Sequence, residues 1–436
     1  MAEKPEKRRQ RRRKEWKYDN FAAVLALPER LAHFLRLWLH LDKSTWDFCL
    51  DKLRQHRAWD EQVAQFRAQE GKKRKKGEAE VPKPPRCGPA YLEWSKSKGR
   101  GKGRRYFAAP CEELKVVQKA INNRILAHIT VHFARHGGQI GSSILTNAGH
   151  HAGFAKTVFS LDIVNAFPSV YRSRVKAVLG KPIRFGLQQF AGVAFSPEDE
   201  EAICASIADL LVFKERLPQG PPTSPRVFDI CCGKLDQEIF ALLQGHSTPF
   251  QSYRYTAWTD NLTFSSDGEI PEPVREQLVE LVRKNGFFPH TRPDKMRYYS
   301  RETGEVPIVT GLVLGAEGML TMAPRKVNQL RARLHRFERL ANWDDQIQGE
   351  VAGTLGYIRQ VYPKRLPSKL RDVVAAIDSR LAANKAVTTE VATAPTPAPS
   401  TRPKTSKAPG KSKGKARAKS AGKPKVKEEL LAEAVS

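Results

Sequence analysis

Two acids far apart in the chain sit in strand-like settings. Asp162 falls in "FSLDIVNAF" and Asp260 in "RYTAWTDNLTFSS". Phosphoryl transfer assisted by two metal ions needs carboxylates that bridge ions ~3.5–4 Å apart, and adjacent strands of one sheet can supply them from distant positions. In the second stretch the flanking Thr, Trp and Phe residues suit strands, while Asp260 and Asn261 favour a turn. The pattern predicts strand, tight turn, strand, with an acid at the hairpin tip. A surface hairpin in which Asp-Asn serves only the turn fits the same residues. Asp162 could equally be a buried strand acid that caps a neighbour. Between the two lies "LPQGPPTSP". Its glycine permits close backbone approach to a ligand, and Gln219 could lie against a nucleotide or a template. A plain proline-rich loop is the simpler alternative.

Charge narrows the partners. The 436 residues carry 75 Lys+Arg against 46 Asp+Glu, a formal net charge of +29. Residues 1–20 hold nine Lys/Arg and four acids, and 401–427 hold eleven Lys/Arg and no acid, so +13 remains on the rest. A basic body as well as basic tails points to a polyanion, with an anionic membrane surface as the competitor. No apolar run approaches ~18 residues, so no membrane span is expected. The N-terminus lacks an apolar core of the secretory kind, so no signal peptide is expected. None of the six cysteines falls in a C-x-x-C arrangement. They read as reduced thiols of a cytoplasmic protein, and a cysteine-based zinc site is not expected.

The elements that must position the acids follow from periodicity. Residues 1–20 form a basic arm. Apolar residues at three-to-four spacing predict helices over 21–66, followed by a charged Pro/Gly linker up to residue 89. "AYLEWSKSKGRGKGRRYFAAP" predicts two short strands around a basic glycine-rich loop. Residues 111–137 read as one long amphipathic helix, and "TVFSLDI" as a strand. Helices are expected up to about 212, then a helix after the proline-rich turn, the hairpin, a helix near 272–286 and strand-like "VPIVTGLVLG". From Pro324 to about Ala383 the chain is again helical. The last fifty residues hold almost no large apolar side chain and cannot offset chain entropy, so a disordered tail is expected. This order indicates α+β.

In these words and this order, the chain resembles the reverse transcriptases of bacterial retrons. "RRYFAAPCEELKVVQKAINNRIL" is similar to the family's opening block, and "FSLDIVNAFPSV" to its first catalytic strand, roughly D-x-x-x-F-F-P-S-V. "LPQGPPTSP" is similar to L-P-Q-G-A-P-T-S-P, and "RYTAWTDNLTFS" to R-Y-A-D-D-L-T-F-S. "NAGHH", residues 147–151, fits the N-A-x-x-H word of retron enzymes, and "VTG", residues 309–311, their V-T-G word. The resemblance spans about residues 90–380. It implies a right-hand polymerase, α+β: fingers and palm over 90–323, the palm an antiparallel sheet with helices, then a helical thumb over 324–384. An N-terminal helical region with its linker (21–89) and a disordered basic tail (385–436) flank them.

The same resemblance implies site residues. Asp162 and Asp260 would bind two Mg²⁺ ions, with Mn²⁺ as a substitute, joined by the backbone of Ile163 and by Asn261. Phe167 would exclude a 2′-hydroxyl. Gln219 and Gly220 would line the nucleotide pocket, and Arg105, with Arg104 as the alternative, would touch the triphosphate. Lys295 would donate a proton to the leaving pyrophosphate. Asn147, His151, Val309, Thr310 and Gly311 would serve recognition of the cognate RNA. The implied partners are a structured non-coding RNA that is both primer and template, the DNA product joined to it through a guanosine 2′-hydroxyl, deoxynucleoside triphosphates and a separate effector protein. The implied setting is cytoplasmic anti-phage defence, with no membrane.

The chain departs from the family pattern in places. The hairpin reads Trp258-Thr259-Asp260-Asn261, so its second carboxylate is an amide. An amide oxygen can ligate Mg²⁺ but brings no charge. Asn165 and Ala166 stand where Asp and Phe are usual, Pro221 replaces Ala, and Asp229 stands where Asn is usual. The neutral Asn261 keeps a second reading open, a polymerase fold retained as an RNA-binding scaffold. A third, a DNA-compacting protein, would rest on the basic tail alone. His128, His132 and His136 fall at i, i+4 and i+8 of the expected long helix. They could offer a metal two ligands, or form a polar face near nucleic acid. Trp16, Trp38, Trp46 and Trp94 could stack bases or pack in the core.

Overall fold

A computed structural model describes residues 19–70, 83–99, 103–190, 193–293 and 295–393. Most of the basic arm and of the linker, and the tail beyond Thr393, lie outside the described residues. Three helices open the chain: α1 (Ala22–Leu25), α2 (Glu29–Trp38) and α3 (Lys43–Glu70). Strands β1 (Tyr91–Ser97) and β2 (Arg104–Pro110) pair antiparallel as their own ribbon. Then follow α4 (Glu112–Arg124), α5 (Ile144–Gly149), β3 (Thr157–Asp162), α6 (Ala166–Ser169), α7 (Arg172–Leu187), α8 (Pro197–Leu211), α9 (Ser224–Cys231) and α10 (Gly233–His246). The hairpin β4 (Tyr253–Trp258) and β5 (Asn261–Ser266), helix α11 (Glu272–Lys284) and β6 (Met296–Ser300) complete the first half of the fold.

The central sheet runs β4-β5-β3-β6, all antiparallel. Strand β3 is buried along its whole length, its polar Thr157, Ser160 and Asp162 included. Helices on the sheet and the N-terminal helices share one core. Phe21, Leu35 and Trp46 belong to it together with Ile207, Phe228 and Phe264. Residues 21–70 are therefore part of the main body.

A second core begins after β6. Strands β7 (Ile308–Val309), β8 (Leu312–Leu314) and β9 (Leu320–Met322) form a small antiparallel sheet. It packs with α12 (Pro324–Glu338), α13 (Asp345–Val361) and α14 (Ser368–Thr393). The sheet expected to close the 90–323 unit thus packs with the C-terminal helices. Helix α14 also continues to Thr393, past the expected limit at 384. Val158 of β3 and Ala148 of α5 join this second core, so β3 touches both.

The long helix expected over 111–137 is not formed. Helix α4 ends at Arg124, a single 3₁₀ turn covers Leu126–His128, and the chain then runs beside the central sheet. Ala257 of β4 donates its N–H to the Ala134 carbonyl at 2.7 Å and accepts from the His136 N–H at 2.9 Å. The β-branched run Ile129-Thr130-Val131 disfavours helix, and Arg135 is drawn into a buried pair of acids. His128, His132 and His136 therefore do not share a helix face.

All six cysteines are free, four of them buried. Trp46 is buried, and Trp38 packs between Phe34 and Phe190. Trp94 stacks on Phe107 with centroids 5.2 Å apart and stays half-exposed, while Trp16 lies outside the described residues. No helix among the described residues is long and apolar enough to cross a membrane.

Candidate active site

The two acids meet. Asp162 ends β3, and its register partner on β5 is Asn261, the residue after Asp260. The turn is one residue earlier than the sequence indicated: Trp258 pairs with Asn261, so Thr259 and Asp260 form the tip and Asn261 opens β5. Thr259 takes the left-handed conformation, φ 54, which allows a two-residue turn between twisted strands. The Asp260 carbonyl accepts the Ile163 N–H at 2.8 Å, so the hairpin tip is fastened to the residue after Asp162.

The loop before β6 closes the other side. The His290 N–H donates to the Asp162 carbonyl at 2.8 Å, and the Val164 N–H donates to that of Phe288 at 2.7 Å. This brings Lys295 to Asp162. Its ammonium pairs with Oδ2, while Oδ1 accepts from Asn261 Nδ2 at 3.0 Å. The Asn261 amide oxygen faces Thr263, whose hydroxyl lies 3.4 Å away.

Electrostatics couple the groups. Burial raises the Asp260 carboxyl above the ordinary carboxylate range, and the Asp162 carboxylate raises it further; Lys295 and Arg105 oppose this. Two desolvated like charges favour a cation between them. The donors are oxygens throughout: two carboxylates, the Ile163 backbone and, after an amide turn, Asn261. Among the described residues no group of three or more His, Cys, Asp or Glu forms a metal cluster. Mg²⁺ commonly binds through one or two carboxylates with substrate phosphates and water completing the shell, so this donor set fits it.

Arg105 and Arg104 point to different uses. Arg104 donates from Nε to the Ser95 hydroxyl at 2.8 Å and from Nη2 to the Ser95 carbonyl at 3.1 Å, tying the β1–β2 ribbon together. Arg105 is exposed and acts electrostatically on Asp260. Phe167 on α6 is half-buried, with its ring 5.6 Å from that of Phe228. The Gln219 carbonyl accepts the Ala108 N–H at 2.9 Å, docking the proline-rich loop on β2. Gly220, at φ 147, lies against the Ala108 carbonyl, where a Cβ would collide. Its close approach in this structure is thus to β2.

The residues expected to recognise RNA divide. Val309, Thr310 and Gly311 form the β7–β8 hairpin tip. Val309 is buried, Gly311 is exposed, and the Thr310 hydroxyl donates to the Ile144 carbonyl at 3.2 Å. Asn147 and His151, expected to serve RNA recognition, have no exposed surface at all. His151 bridges the Ser265 and Thr256 hydroxyls at 2.7 Å each, and burial pushes its imidazole down to about 3. It locks α5 onto β4 and β5 as a neutral ring. Both side-chain polar atoms of Asn147 are buried without a hydrogen-bond partner among the described residues.

No protein-family model matches the chain. Individual relatives do. The chain is 35% identical over 263 residues to the retron Mx162 reverse transcriptase of Myxococcus xanthus, covering 56% of this chain and 52% of that protein. It is 28% identical over 280 residues to the retron Mx65 reverse transcriptase of the same organism, covering 63% and 62%. It is 26% identical over 268 residues to the retron Ec86 reverse transcriptase of Escherichia coli, covering 61% and 75%. The resemblance carried by the sequence words thus extends to partial alignments with retron reverse transcriptases. The chain spans about half the length of the first of these relatives.

Proposed function

We propose that the chain is a retron-type RNA-directed DNA polymerase whose active site is the Asp162–Asp260 pair. The central sheet with its helices would be the palm, the β1–β2 ribbon part of the fingers, and α12–α14 the thumb. The observation that carries this is the meeting of two acids, distant in sequence, at one end of adjacent antiparallel strands, with Lys295 and Arg105 acting on them. The retron relatives support the substrate class.

Asp162, Asp260, the Ile163 carbonyl and Asn261 would hold two divalent ions, Mg²⁺ with Mn²⁺ as substitute. Bound there, the ions would activate the attacking hydroxyl and offset charge on the phosphates. The chain's own groups do the rest. Arg105 would bind the triphosphate, and Gln219 and Gly220 would floor the nucleotide pocket. Phe167 would block a ribose 2′-hydroxyl. Lys295, whose ammonium pairs with Asp162, would donate a proton to the leaving pyrophosphate. The V-T-G tip would contact a structured non-coding RNA, with Asn147 and His151 setting its support from beneath. The product would be DNA branched from that RNA. The role would be cytoplasmic anti-phage defence with an effector partner.

One observation favours a second reading. Both oxygens of Asp162 are occupied by donors, Lys295 and the Asn261 amide, and a second hairpin carboxylate is missing. A weakened polymerase retained as an RNA-binding scaffold would look like this. Incubation of the purified protein with RNA and the four deoxynucleoside triphosphates separates them. DNA complementary to the RNA, made from deoxynucleotides and not ribonucleotides, is expected. Tight RNA binding with no incorporation under Mg²⁺ or Mn²⁺ would overturn the polymerase reading.

A further inference from the structure

Behind the hairpin tip lies a buried ionic network that none of the roles above uses. The Arg135 side chain is fully buried. Its Nε and Nη2 donate to the two oxygens of Asp236 at 2.8 and 2.7 Å, a bidentate pair. The remaining nitrogen, Nη1, donates to the Thr259 carbonyl at 2.9 Å and lies 3.5 Å from Asp229 Oδ1. Asp236 also accepts the Tyr255 hydroxyl at 2.7 Å, and Asp229 accepts from Gln139 Nε2 at 2.6 Å. The backbone on either side of Arg135 is itself paired to Ala257 of β4.

Thr259 is the residue before Asp260, and it holds a left-handed φ that a β-branched residue rarely adopts. Such a conformation persists where surrounding structure over-determines it. A guanidinium held by Asp236 through two of its nitrogens offers the third in a fixed direction, which a lysine ammonium cannot reproduce. We propose that Arg135 is a positioning residue for polymerisation: anchored by Asp236 and Asp229, it pins the Thr259 carbonyl and so fixes the direction in which Asp260 presents its carboxylate. The inference rests on the polymerase reading for its catalytic consequence, but the pinning itself is a property of the fold.

The test compares wild type, Arg135→Lys, Thr259→Gly and the Arg135→Lys/Thr259→Gly double variant, as full chains. Lysine keeps the buried charge but cannot hold Asp236 and Thr259 together, while glycine adopts the turn conformation without assistance. Amide hydrogen exchange is read on peptides covering the hairpin tip and Ile163, whose N–H bonds to the Asp260 carbonyl. Primer extension is read as kcat and as KM for the deoxynucleotide. Arg135→Lys is expected to speed exchange at the tip and at Ile163 while β3–β6 pairing keeps its protection. It should lower kcat about tenfold or more with KM within about twofold, and Thr259→Gly should restore part of both losses. A purely structural role would lower protection across the whole sheet and gain nothing from the glycine. Unchanged exchange at the tip, sheet-wide loss of protection or absence of rescue would each overturn the proposal. If wild type extends nothing under either metal, the polymerase reading fails, and the exchange pattern still decides whether Arg135 pins the turn.

Discussion

Two hairpin tips of this chain share a two-residue turn that begins with threonine in the left-handed region. Thr259, at φ 54, precedes Asp260, and Thr310, at φ 48, precedes Gly311 at φ 84. The second tip is made by its own residues. Glycine takes the positive φ freely, and a side-chain tie runs from Thr310 to the Ile144 carbonyl. The first tip has no glycine. It is held from outside, by Arg135 on the Thr259 carbonyl and by Ile163 on that of Asp260. A turn that shapes itself can sit at an exposed edge. A turn that must carry a carboxylate in a set direction is built into a core and held by distant residues.

The comparison can be broken outright by making the first tip like the second. Asp260→Gly would create a Thr-Gly turn there. The sheet should fold and melt within a few degrees of wild type, while extension falls by about a thousandfold or more, about 4 kcal/mol of barrier. Retained extension would mean that Asp260 is only a turn residue. The converse change is Gly311→Val, a β-branched residue forced to φ 84. It should cost on the order of 1–2 kcal/mol in denaturant unfolding and weaken preference for the cognate RNA, while extension of a generic primer persists. Unaltered RNA preference would remove the V-T-G tip from recognition.

Smaller effects sharpen the contrast. Asp229 lies beside the Arg135 guanidinium that holds the first tip. Burial pushes its carboxyl up to about 6, against the pull of Arg135 and the Gln139 hydrogen bond, with Asp236 adding to the rise and Arg226 opposing it. A folded value above the unfolded one means that the folded state binds the proton more tightly. Stability from this group is present at low pH and is lost as pH rises through about 6. Asp229→Asn lacks that loss, so its melting temperature relative to wild type should climb between about pH 4 and pH 7. A flat difference would show that Arg135 fully compensates the charge. Thr259→Gly alone should be nearly neutral, within about 0.5 kcal/mol, because relief of the left-handed threonine offsets the chain entropy of glycine.

The same contrast explains what could be read from the sequence. The strands carrying Asp162 and Asp260 were legible because β-branched and aromatic residues flank them and a turn falls between. The V-T-G tip was legible only as a strand, although its glycine marks the turn. Arg135 was not legible. "ITVHFARHG" scans as the end of a helix lined with histidines, and its actual path depends on pairing with Ala257 and on two acids from α9 and α10. Asn147 and His151 were legible as a motif, but their burial is set by packing of α5 against β4 and β5. The turn was displaced by one residue because Asn261 is a turn former that the register with Asp162 draws into β5.

The most direct measurement is primer extension on an RNA template across a Mg²⁺ titration, with wild type, Asp162→Ala, Asp260→Ala and Asn261→Asp side by side. Wild type should extend, neither alanine variant should, and Asn261→Asp should reach half-maximal extension at a severalfold lower Mg²⁺ concentration, since the new carboxylate returns a charge beside Asp162. Extension by Asp162→Ala and Asp260→Ala at the wild-type rate would contradict the Asp162–Asp260 site, whatever the Asn261 variant did.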